Sequence, residues 1–331
     1  MICVLAGGVG AARFLAGLLE VHPADQVVAV ANVGDDLDLH GLHISPDLDT
    51  VTYTLAGAID PDRGWGLAGE SWQAMDSLGR YGGTPWFNLG DRDLATHLYR
   101  TQRLGEGADL RTVTAEIAGA WGLELDLVPV TNDRLRTMVT VVDPPPPGSA
   151  DGTPGTTHEV TFQEYFVQRR HGVPVTAVRF DGAETARPTA GVLDAIEAAD
   201  TVVIAPSNPI VSIEPVLVVP GVREAVTARR HRVVAVSPII AGAALKGPAD
   251  RMLRELGHEP TVVGVARLYA PLAETLVIDE ADRHLAAAVE AEGMRAVVTP
   301  TVMAEPGAAA ALARTVLAAP GRLHGRTGTS A

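Results

Sequence analysis

The amino-acid sequence predicts an α/β fold: a Rossmann-like, doubly wound, mostly parallel sheet that carries a helical and β-hairpin insertion. Three observations lead to this prediction. Short apolar segments rich in β-branched residues alternate with segments whose apolar residues recur at helical spacing. The first apolar segment runs directly into a glycine cluster, GGVGAAR, and a helix follows at once. The alternation lapses after residue 50 and returns near residue 175, which indicates an insertion.

The chain begins with a predicted right-handed βαβ unit. Residues 2–7 (ICVLAG) and 26–33 (QVVAVANV) are short and apolar at successive positions, which is typical of parallel strands buried on both faces. Between them, the segment AARFLAGLLEVH places its apolar residues on one helical face.

The insertion is predicted to be helical first and then to form strands. The predicted helices span residues 49–57, 70–79, 91–104 and 110–121. The segments LDLVPV and RTMVTVVD have the pattern of strands, and HEVTFQEYFVQRR resumes ordered structure. The Pro- and Gly-rich loop between them, residues 143–157, is predicted to be a mobile hairpin tip.

The second half of the chain returns to alternating strands and helices. The predicted strands are TVVIAPSN, RVVAVSPII, TVVGVA, ETLVID and RAVVTP, and the last helix spans about 306–318. We expect a flexible tail at 321–331. The chain as a whole is predicted to be one domain, 1–331, with a core of 1–60 and 175–320 and an insertion of about 61–174.

Composition narrows the classes of partner. The formal net charge is −14 and the pI is about 5.1, so the field of the protein repels nucleic acids and anionic membranes. The opening apolar run is too short for a signal peptide, and no stretch is long enough to span a bilayer. We therefore expect a cytoplasmic protein that acts on small molecules.

The glycine cluster is a candidate phosphate-binding loop. Gly7, Gly8 and Gly10 follow a strand and precede a helix, where free backbone N–H groups and the helix dipole attract anions. A dinucleotide is one alternative, because Asp35 stands where a ribose-binding acid would lie; the third glycine of that fingerprint is missing, and Arg13 lies close by. A tight turn without a ligand is the other alternative.

Carboxylates cluster after the second strand. Asp35, Asp36, Asp38, Asp47 and Asp49 fall within a short span. Capping of a helix explains one of Asp47 and Asp49, but capping needs only one acid. Hard oxygen ligands beside a phosphate loop are typical of a magnesium site, so the cluster predicts bound Mg²⁺.

Polar residues also follow other strands and begin a later helix. In LGDRDLATHLYR, Arg92 lies at a helix start that its charge disfavours, which suggests a separate binding partner, whereas His97 is open to a core or capping role. Two further strands end in polar turns that contain Ser207, Asn208, Ser237, Lys246 and Gly247. Because the carboxyl ends of parallel strands share one edge, we expect these groups to line one crevice.

Several long motifs, taken in order from residue 1 to about 270, resemble the CofD/FbiA family. These motifs are GGVGAAR, NVGDD, SPDLDTVTYTLAG, DRGWG, LGDRDLATH, APSNPIVSI and SPIIAGAALKG. The family contains the 2-phospho-L-lactate transferases and phosphoenolpyruvate transferases of coenzyme F-420 biosynthesis. The resemblance implies an enzyme that moves a phospholactyl or phosphoenolpyruvyl group from a guanylyl diphosphate ester to the ribityl hydroxyl of the deazaflavin Fo. GMP leaves, Mg²⁺ is required, and members tend to be homodimers.

The resemblance also implies roles for particular residues. Asp49 matches the family acid beside the Fo hydroxyl, and Asn88 matches a position that contacts Fo. Ser207 and Asn208 match the motif on the guanosine side. Some relatives have lysine at the position of Asn88 and near that of Arg13.

The residues and the resemblance together give one mechanistic hypothesis. Asp49, with Asp36 or Asp47, holds Mg²⁺ against the diphosphate and orients the attacking hydroxyl. Three cations offset the charge of the diphosphate and of the leaving GMP. They are Arg13, Arg92 and Lys246.

Two other functions stay open at this point. A related family of gluconeogenesis-factor (YvcK-like) proteins binds a nucleotide sugar and regulates, without transferring a group. An NAD(P)-dependent oxidoreductase is a further alternative, weakened by the missing third glycine. The sequence leaves the choice between lactyl and enolpyruvyl donors undecided.

Overall fold

The computed structural model describes residues 1–83, 86–145 and 155–320. The strands are β1 Ile2–Ala6, β2 Val27–Ala31, β3 Leu37–Leu39, β4 Leu42–Ile44, β5 Asp126–Pro129, β6 Arg136–Asp143, β7 Thr156–Thr161, β8 Val175–Asp181, β9 Thr201–Ile204, β10 Val233–Val236, β11 Ile239–Ile240, β12 Ala243–Ala244, β13 Thr275–Ile278 and β14 Arg295–Val298. The helices are α1 Gly8–Leu19, α2 Pro46–Leu55, α3 Gln73–Arg80, α4 Asp93–Gly105, α5 Leu110–Ala120, α6 Val192–Ala198, α7 Glu214–Leu217, α8 Val222–Ala228, α9 Ala249–Glu255, α10 Val262–Tyr269, α11 Ala286–Ala291 and α12 Ala308–Ala318. Most of the predicted mobile loop and all of the predicted flexible tail lie outside the described residues.

The main sheet has seven strands in the order β14-β13-β10-β9-β1-β2-β5, and every pair is parallel. From β1 the chain builds outward through β2 and β5 on one side, and later through β9, β10, β13 and β14 on the other. The predicted α/β fold class is confirmed. The strand order reverses between β1 and β9, and such a switch point opens a crevice beyond the carboxyl ends of the two strands.

Aliphatic packing fixes the elements that border this crevice. All five residues of β1 are buried. Helix α1 buries a stripe that includes Phe14, Leu15 and Leu18, and it packs against α2 and α12. A Cβ at Gly17 would lie 2.2 Å from the backbone of Ala309, so the glycine allows α1 and α12 to approach closely.

Between β2 and β9 the chain forms two antiparallel units as well as helices α2 to α6 and strand β5. The hairpin β3–β4 follows the acidic segment, and a three-stranded sheet has the order β7-β6-β8. The hairpin β3–β4 was not among the predicted strands, because each of its strands has only three residues.

Two strands, β5 and β8, do not follow the predicted division between core and insertion. β5 lies inside the predicted insertion, 61–174, yet it pairs with β2 at the edge of the main sheet. β8 begins at Val175, where the core was expected to resume, yet it pairs with β6 in the antiparallel sheet. Its half-exposed faces distinguish it from the fully buried strands of the core.

The prediction of a strand at TVVGVA was wrong, because this segment forms helix α10. Thr261 caps the helix, and its side chain accepts a hydrogen bond from the backbone N–H of Gly264. The first five residues of α10 are all buried, so the segment lacks the polar face that marks a surface helix. A short apolar run of this kind does not distinguish a buried strand from a buried helix.

Candidate active site

A cavity of about 1070 Å³ lies beyond the carboxyl ends of β1, β9 and β10, at the switch point of the sheet. The structure brings most of the predicted site residues to its wall. These are Gly7, Gly8, Gly10, Arg13, Asp47, Asp49, Asn88, Ser207, Asn208, Ser237, Lys246 and Gly247. Asp36 and Arg92 lie outside this lining.

The glycine loop presents the N-terminus of α1 to the cavity. Gly8 begins the helix with φ +70°, a conformation that favours glycine. A Cβ at Gly10 would lie 2.0 Å from the carbonyl oxygen of Pro206, so this glycine lets α1 approach the loop after β9. The hydroxyl of Ser207 donates to the carbonyl of Gly7 at 2.8 Å. Among the described residues no side chain of the N-cap residue caps α1, and the N–H groups of its first turn after Gly8, whose own N–H faces Asp47, are available to an anion.

Asp47 joins the glycine loop to the acidic segment. It lies in the first turn of α2, lines the cavity and accepts a hydrogen bond from the Asn32 amide at 2.9 Å. Burial raises its pKa to about 7; the Asn32 hydrogen bond lowers that pKa and the charge of Asp36 raises it. Burial, followed by the charges of Asp47 and Asp36, raises the pKa of Asp35 well above its usual value.

These carboxylates are suited to a cation. Within the described part of the chain, Oδ1 of Asp35 and Oδ1 of Asp36 are buried without a hydrogen-bond partner. Buried carboxylates are costly unless they are paired or bind a metal. The oxygen-only donor set suits a hard cation such as Mg²⁺.

Asp36 lies behind the residues that line the cavity and contacts the segment that leads into α2. Its side chain is 4% exposed and accepts hydrogen bonds from Ser45 at 2.8 Å and from the His43 ring at 3.2 Å. The sequence places Asp36 beside the other acids, but the turn after β2 directs it toward the β3–β4 hairpin and the start of α2. We therefore correct the expectation that Asp36 contacts the ligand directly.

Arg92 has a structural partner instead of the expected ligand. Its guanidinium donates to the carbonyl of Ala68, and its backbone N–H donates to Glu70 at 2.8 Å. Arg92 thus joins the segment before α3 to the start of α4. Its position at a helix N-terminus, which suggested a bound anion, is explained by these contacts.

Asp49 lies in a buried network with residues from α4. Both of its carboxylate oxygens accept from the guanidinium of Arg100, one of them from Nη1 at 3.1 Å. The His97 ring lies between two acids, with Nδ1 3.7 Å from Asp49 and Nε2 3.3 Å from Asp93. The hydroxyl of Tyr53 donates to Asp93 at 2.6 Å.

The pKa values of Asp49 and Asp93, the two acids of this network, shift in opposite directions. Burial raises the pKa of Asp49, and the guanidinium of Arg100, followed by the His97 ring, opposes that rise. The pKa of Asp93 is lowered: burial acts against this, but the hydrogen bond and charge of His97 and the hydrogen bond from Tyr53 outweigh it.

The structure separates Asp49 from the other predicted metal ligands. Among the described residues, the ligand atoms that lie within 4.8 Å of one another belong to Asp49, Asp93 and His97. The predicted set was Asp36, Asp47 and Asp49, so Asp49 is grouped with residues of α4 and not with its neighbours in sequence. Sequence reasoning left His97 open to a core or capping role, assigned no role to Asp93 of the same motif, and missed Arg100. The helical spacing of these three residues along α4, which places them on one face, was the available signal.

Aromatic side chains form two other parts of the wall. Trp86 and Phe87 precede Asn88 in the lining, Trp65 lies in the lining beside Trp72 and Arg63, and Phe162 and Phe166 follow β7 of the antiparallel sheet. Phe162 and Phe166 stack with centroids 5.5 Å apart and an interplanar angle of 17°. Both groups offer flat surfaces on which ring systems can stack. Apart from Trp65 in the DRGWG motif, these aromatic residues were not among the motifs of the sequence analysis.

Lys246 closes one side of the cavity mouth. It lies on the exposed connection between β12 and α9, and its ammonium is 2.8 Å from where a Cβ of Gly64 would stand. Two connections from distant parts of the sequence therefore meet in the lining of the cavity. The cavity unites an anion-binding helix N-terminus, buried carboxylates, cations and aromatic surfaces.

Residues 2–316 match the family model described as 2-phospho-L-lactate transferase CofD. The chain belongs to the CofD family. A phosphoenolpyruvate transferase from Kitasatospora aureofaciens is 46% identical over 320 residues, which cover 96% of this chain and 97% of the relative. A phosphoenolpyruvate transferase from Nocardia farcinica is 44% identical over 317 residues, which cover 96% and 93%. The resemblance drawn from the motifs is confirmed, and the CofD-family chain is a transferase.

A solved structure supports the fold. A UPF0052-family protein from Bacillus halodurans matches with a TM-score of 0.60 over 96% of this chain and 98% of its own, at 16% identity. At this identity the likeness shows the fold alone. Among the described residues of the CofD-family chain, we find no helix with the length and apolar character needed to cross a membrane.

Proposed function

We propose that this chain transfers a phosphoenolpyruvyl group from a guanylyl diphosphate ester to the terminal ribityl hydroxyl of the deazaflavin Fo, and that GMP leaves. The acceptor oxygen forms a bond to the phosphorus that bears the enolpyruvyl group. The bond between that phosphorus and the bridging oxygen breaks, the bridging oxygen leaves with GMP, and the hydroxyl proton passes to solvent or to a basic group. The product is dehydro-F-420-0.

One observation supports this proposal above the others. A single cavity of about 1070 Å³ holds the phosphate-type glycine loop and, separately, the Asp49 network beside Trp86, Phe87 and Asn88. Pockets for one small ligand usually measure about 300–1,000 Å³. The volume suits two ligands bound together. The glycine loop suits a nucleotide ester, and the part of the lining with Asp49 and the aromatic residues suits a ring-bearing alcohol.

The roles of the residues follow from their positions in the wall. The N-terminus of α1 receives the diphosphate, and Arg13 and Lys246 offset its charge. Ser207 and Asn208, which follow β9 in the lining, take the guanosine side that the resemblance implies for their motif. Asp49 accepts a hydrogen bond from the acceptor hydroxyl and fixes its direction of attack, since phosphoryl transfer depends mainly on alignment and charge neutralisation.

Mg²⁺ is part of the proposal. Asp47 would hold it, because this carboxylate lines the cavity beside Gly8 and the unpartnered oxygens of Asp35 and Asp36 lie on the same acidic segment. Bound Mg²⁺ would supply charge neutralisation on the diphosphate. Asp49 is a weaker candidate ligand, since both its oxygens accept from Arg100.

The choice of donor rests on the curated relatives. The similar proteins from Kitasatospora and Nocardia are both named phosphoenolpyruvate transferase. We therefore assign the enolpyruvyl donor to this chain and expect it to be preferred over the lactyl donor. Competition between the two esters in one reaction measures this preference directly as the ratio of their kcat/KM values.

The test begins with ligand binding. The purified protein is titrated with GDP plus Mg²⁺, with Fo, with NAD(P)H and with UDP-N-acetylglucosamine, and the thermal midpoint is followed. Stabilisation by GDP–Mg²⁺ and by Fo is expected. Chromatography then follows GMP and product formation from the enolpyruvyl ester and Fo, with and without a chelator.

The alternatives predict different results. A nucleotide-sugar-binding regulator responds to UDP-N-acetylglucosamine without turnover, and an oxidoreductase responds to NAD(P)H without Mg²⁺. No response to Fo, together with a response to either of those ligands, contradicts the proposed transfer.

A further inference from the structure

Arg100 lies behind the cavity wall and contacts it through Asp49. The arginine is 1% exposed and does not line the cavity, whereas Asp49 does. The two residues come from separate helices, α4 and α2, and both guanidinium Nη atoms donate to the carboxylate. Arg100 therefore reaches the cavity through two lining residues: Asp49, which it contacts through both Nη atoms, and His97, whose Nδ1 lies 3.4 Å from Nη1.

The pair has the geometry of an orienting contact. A guanidinium bonded to both carboxylate oxygens fixes the plane of the carboxylate as well as its position. His97 closes the other side, with Nδ1 3.4 Å from Arg100 and Nε2 3.3 Å from Asp93. The carboxylate of Asp49 has little freedom to rotate, and its remaining lone pairs are left for the cavity.

Stability alone does not account for this pair. Two charges taken out of water lose their hydration, and apolar side chains of similar volume often stabilise a core as well or better. Burying an arginine completely is therefore an expensive way to join two helices. Holding a reactive carboxylate in one orientation is a role that an apolar pair does not perform.

We propose that Arg100 is a positioning residue that fixes the Asp49 carboxylate for hydrogen bonding to the acceptor hydroxyl. The inference rests on the proposed function, because it concerns how the acceptor is held. Arg100 acts on the acceptor side and leaves binding at the glycine loop unchanged.

Arg103 provides a matched control on the same helix. It also donates through two nitrogens to one carboxylate, that of Glu116, at 3.0 and 2.8 Å. This second pair is at the surface, outside the cavity lining. Arg103→Lys therefore makes the same chemical change without reaching the site.

The test is a double-mutant cycle read by equilibrium binding of Fo, with GDP–Mg²⁺ binding as the measure of intact fold. Arg100→Lys keeps the charge and removes the two-pronged contact. We compare Arg100→Lys, Asp49→Asn, the double variant and Arg103→Lys. We expect Arg100→Lys to weaken Fo binding about tenfold or more and to lower kcat. In the Asp49→Asn background the same change has an effect of less than about twofold.

The outcomes separate the inference from the function on which it rests. If the wild type does not bind Fo, the proposed function fails and the inference fails with it. If the wild type binds Fo but Arg100→Lys binds it equally well, only the inference fails. An equal loss in both backgrounds, or loss of GDP–Mg²⁺ binding by Arg100→Lys, assigns Arg100 a structural role and also overturns the inference.

Discussion

Asp47 and Asp49 share the first turn of α2, yet their carboxylates have different surroundings. Asp47 accepts from an uncharged amide, and burial raises its pKa to about 7. Asp49 accepts from a guanidinium. An acid without a cationic side chain is the better ligand for a metal, whereas one fixed by arginine is the better partner for a hydroxyl. Two acids of one motif thereby acquire separate roles from their partners.

Replacement of Asp49 tests the residue assigned to the acceptor. Asp49→Asn is expected to lower kcat on the order of 10²-fold or more, because the amide no longer offers two anionic oxygens. GDP–Mg²⁺ binding is expected to survive, since the glycine loop is unchanged. Steady-state kinetics of GMP release measure the effect, with Asp62→Asn, an exposed acid, as the control. Near-normal turnover by Asp49→Asn would remove Asp49 from the mechanism.

At the scale of elements, the meeting of α1 with the loop after β9 sets the position of the phosphate site. The approach is possible because Gly10 has no side chain. The strand that precedes α1 is fully buried, so the helix start cannot move away without disturbing the centre of the sheet. The glycine is therefore required for the packing of α1 against this loop.

Two glycine-to-alanine changes separate this effect from helix propensity. Gly10→Ala places a Cβ 2.0 Å from the Pro206 carbonyl, so we expect about 1–3 kcal/mol of destabilisation and loss of GDP affinity. Gly119→Ala, in α5, meets nothing within 4 Å and is expected to stabilise by about 0.4–1 kcal/mol. Urea unfolding and GDP titration measure both variants. Equal effects of the two changes would contradict the packing argument.

Asp279 links the turn after β13 to the segment after β14, which lines part of the cavity. Asp279 follows β13 and accepts hydrogen bonds from the backbone N–H of Ala281 and from the N–H and hydroxyl of Thr301. Thr301 begins a stretch of the cavity lining that continues to Ala304. Burial acts to raise the pKa of Asp279, but the hydrogen bonds outweigh it and lower the pKa.

The sign of this shift predicts an acid-dependent contribution to stability. Because the folded-state pKa is depressed, the contribution is present above the unfolded value of about 3.9 and is lost as the pH falls through the folded value. Asp279→Ala is expected to cost about 1–2 kcal/mol at pH 7. The difference from wild type should shrink as unfolding is measured from pH 5 toward pH 3. Asp194→Asn, an exposed acid on α6, serves as the control, and a constant difference across this range would contradict the assignment.

The elements differ in how far the sequence could specify them. The strands that carry GGVG, PSNP and SPII were predictable because each is a short apolar run followed by a turn, and parallel strands bring such turns to one edge. Segment 262–269 was not, because the first five residues of this helix are all buried and show no polar face. The roles of the Arg92 and Arg100 side chains could not be predicted from local sequence either. Each needed a partner distant in sequence, Ala68 or Asp49, to define its role.

On the scale of the whole molecule, the site is built where the core meets the insertion. The core supplies the glycine loop and the turns after β9 and β10, and inserted residues supply Trp86, Phe87 and Phe166. The core contribution follows from topology and was predicted. The contribution of the insertion depends on how loops fold back over the sheet, which local sequence patterns do not encode.

This division predicts that the nucleotide and the acceptor bind simultaneously. With each ligand at about 100 times its dissociation constant, independent binding stabilises the protein by about 2.7 kcal/mol for one ligand and about 5.4 kcal/mol for both. Competition for one site would give only about 3.1 kcal/mol for both. Unfolding measured with GDP–Mg²⁺, with Fo and with both therefore distinguishes the two cases. Gly10→Ala should lose the nucleotide increment and keep that of Fo, whereas Asp49→Asn should do the reverse. A combined value near 3.1 kcal/mol, or loss of both increments in either variant, would mean that the two walls do not hold separate ligands.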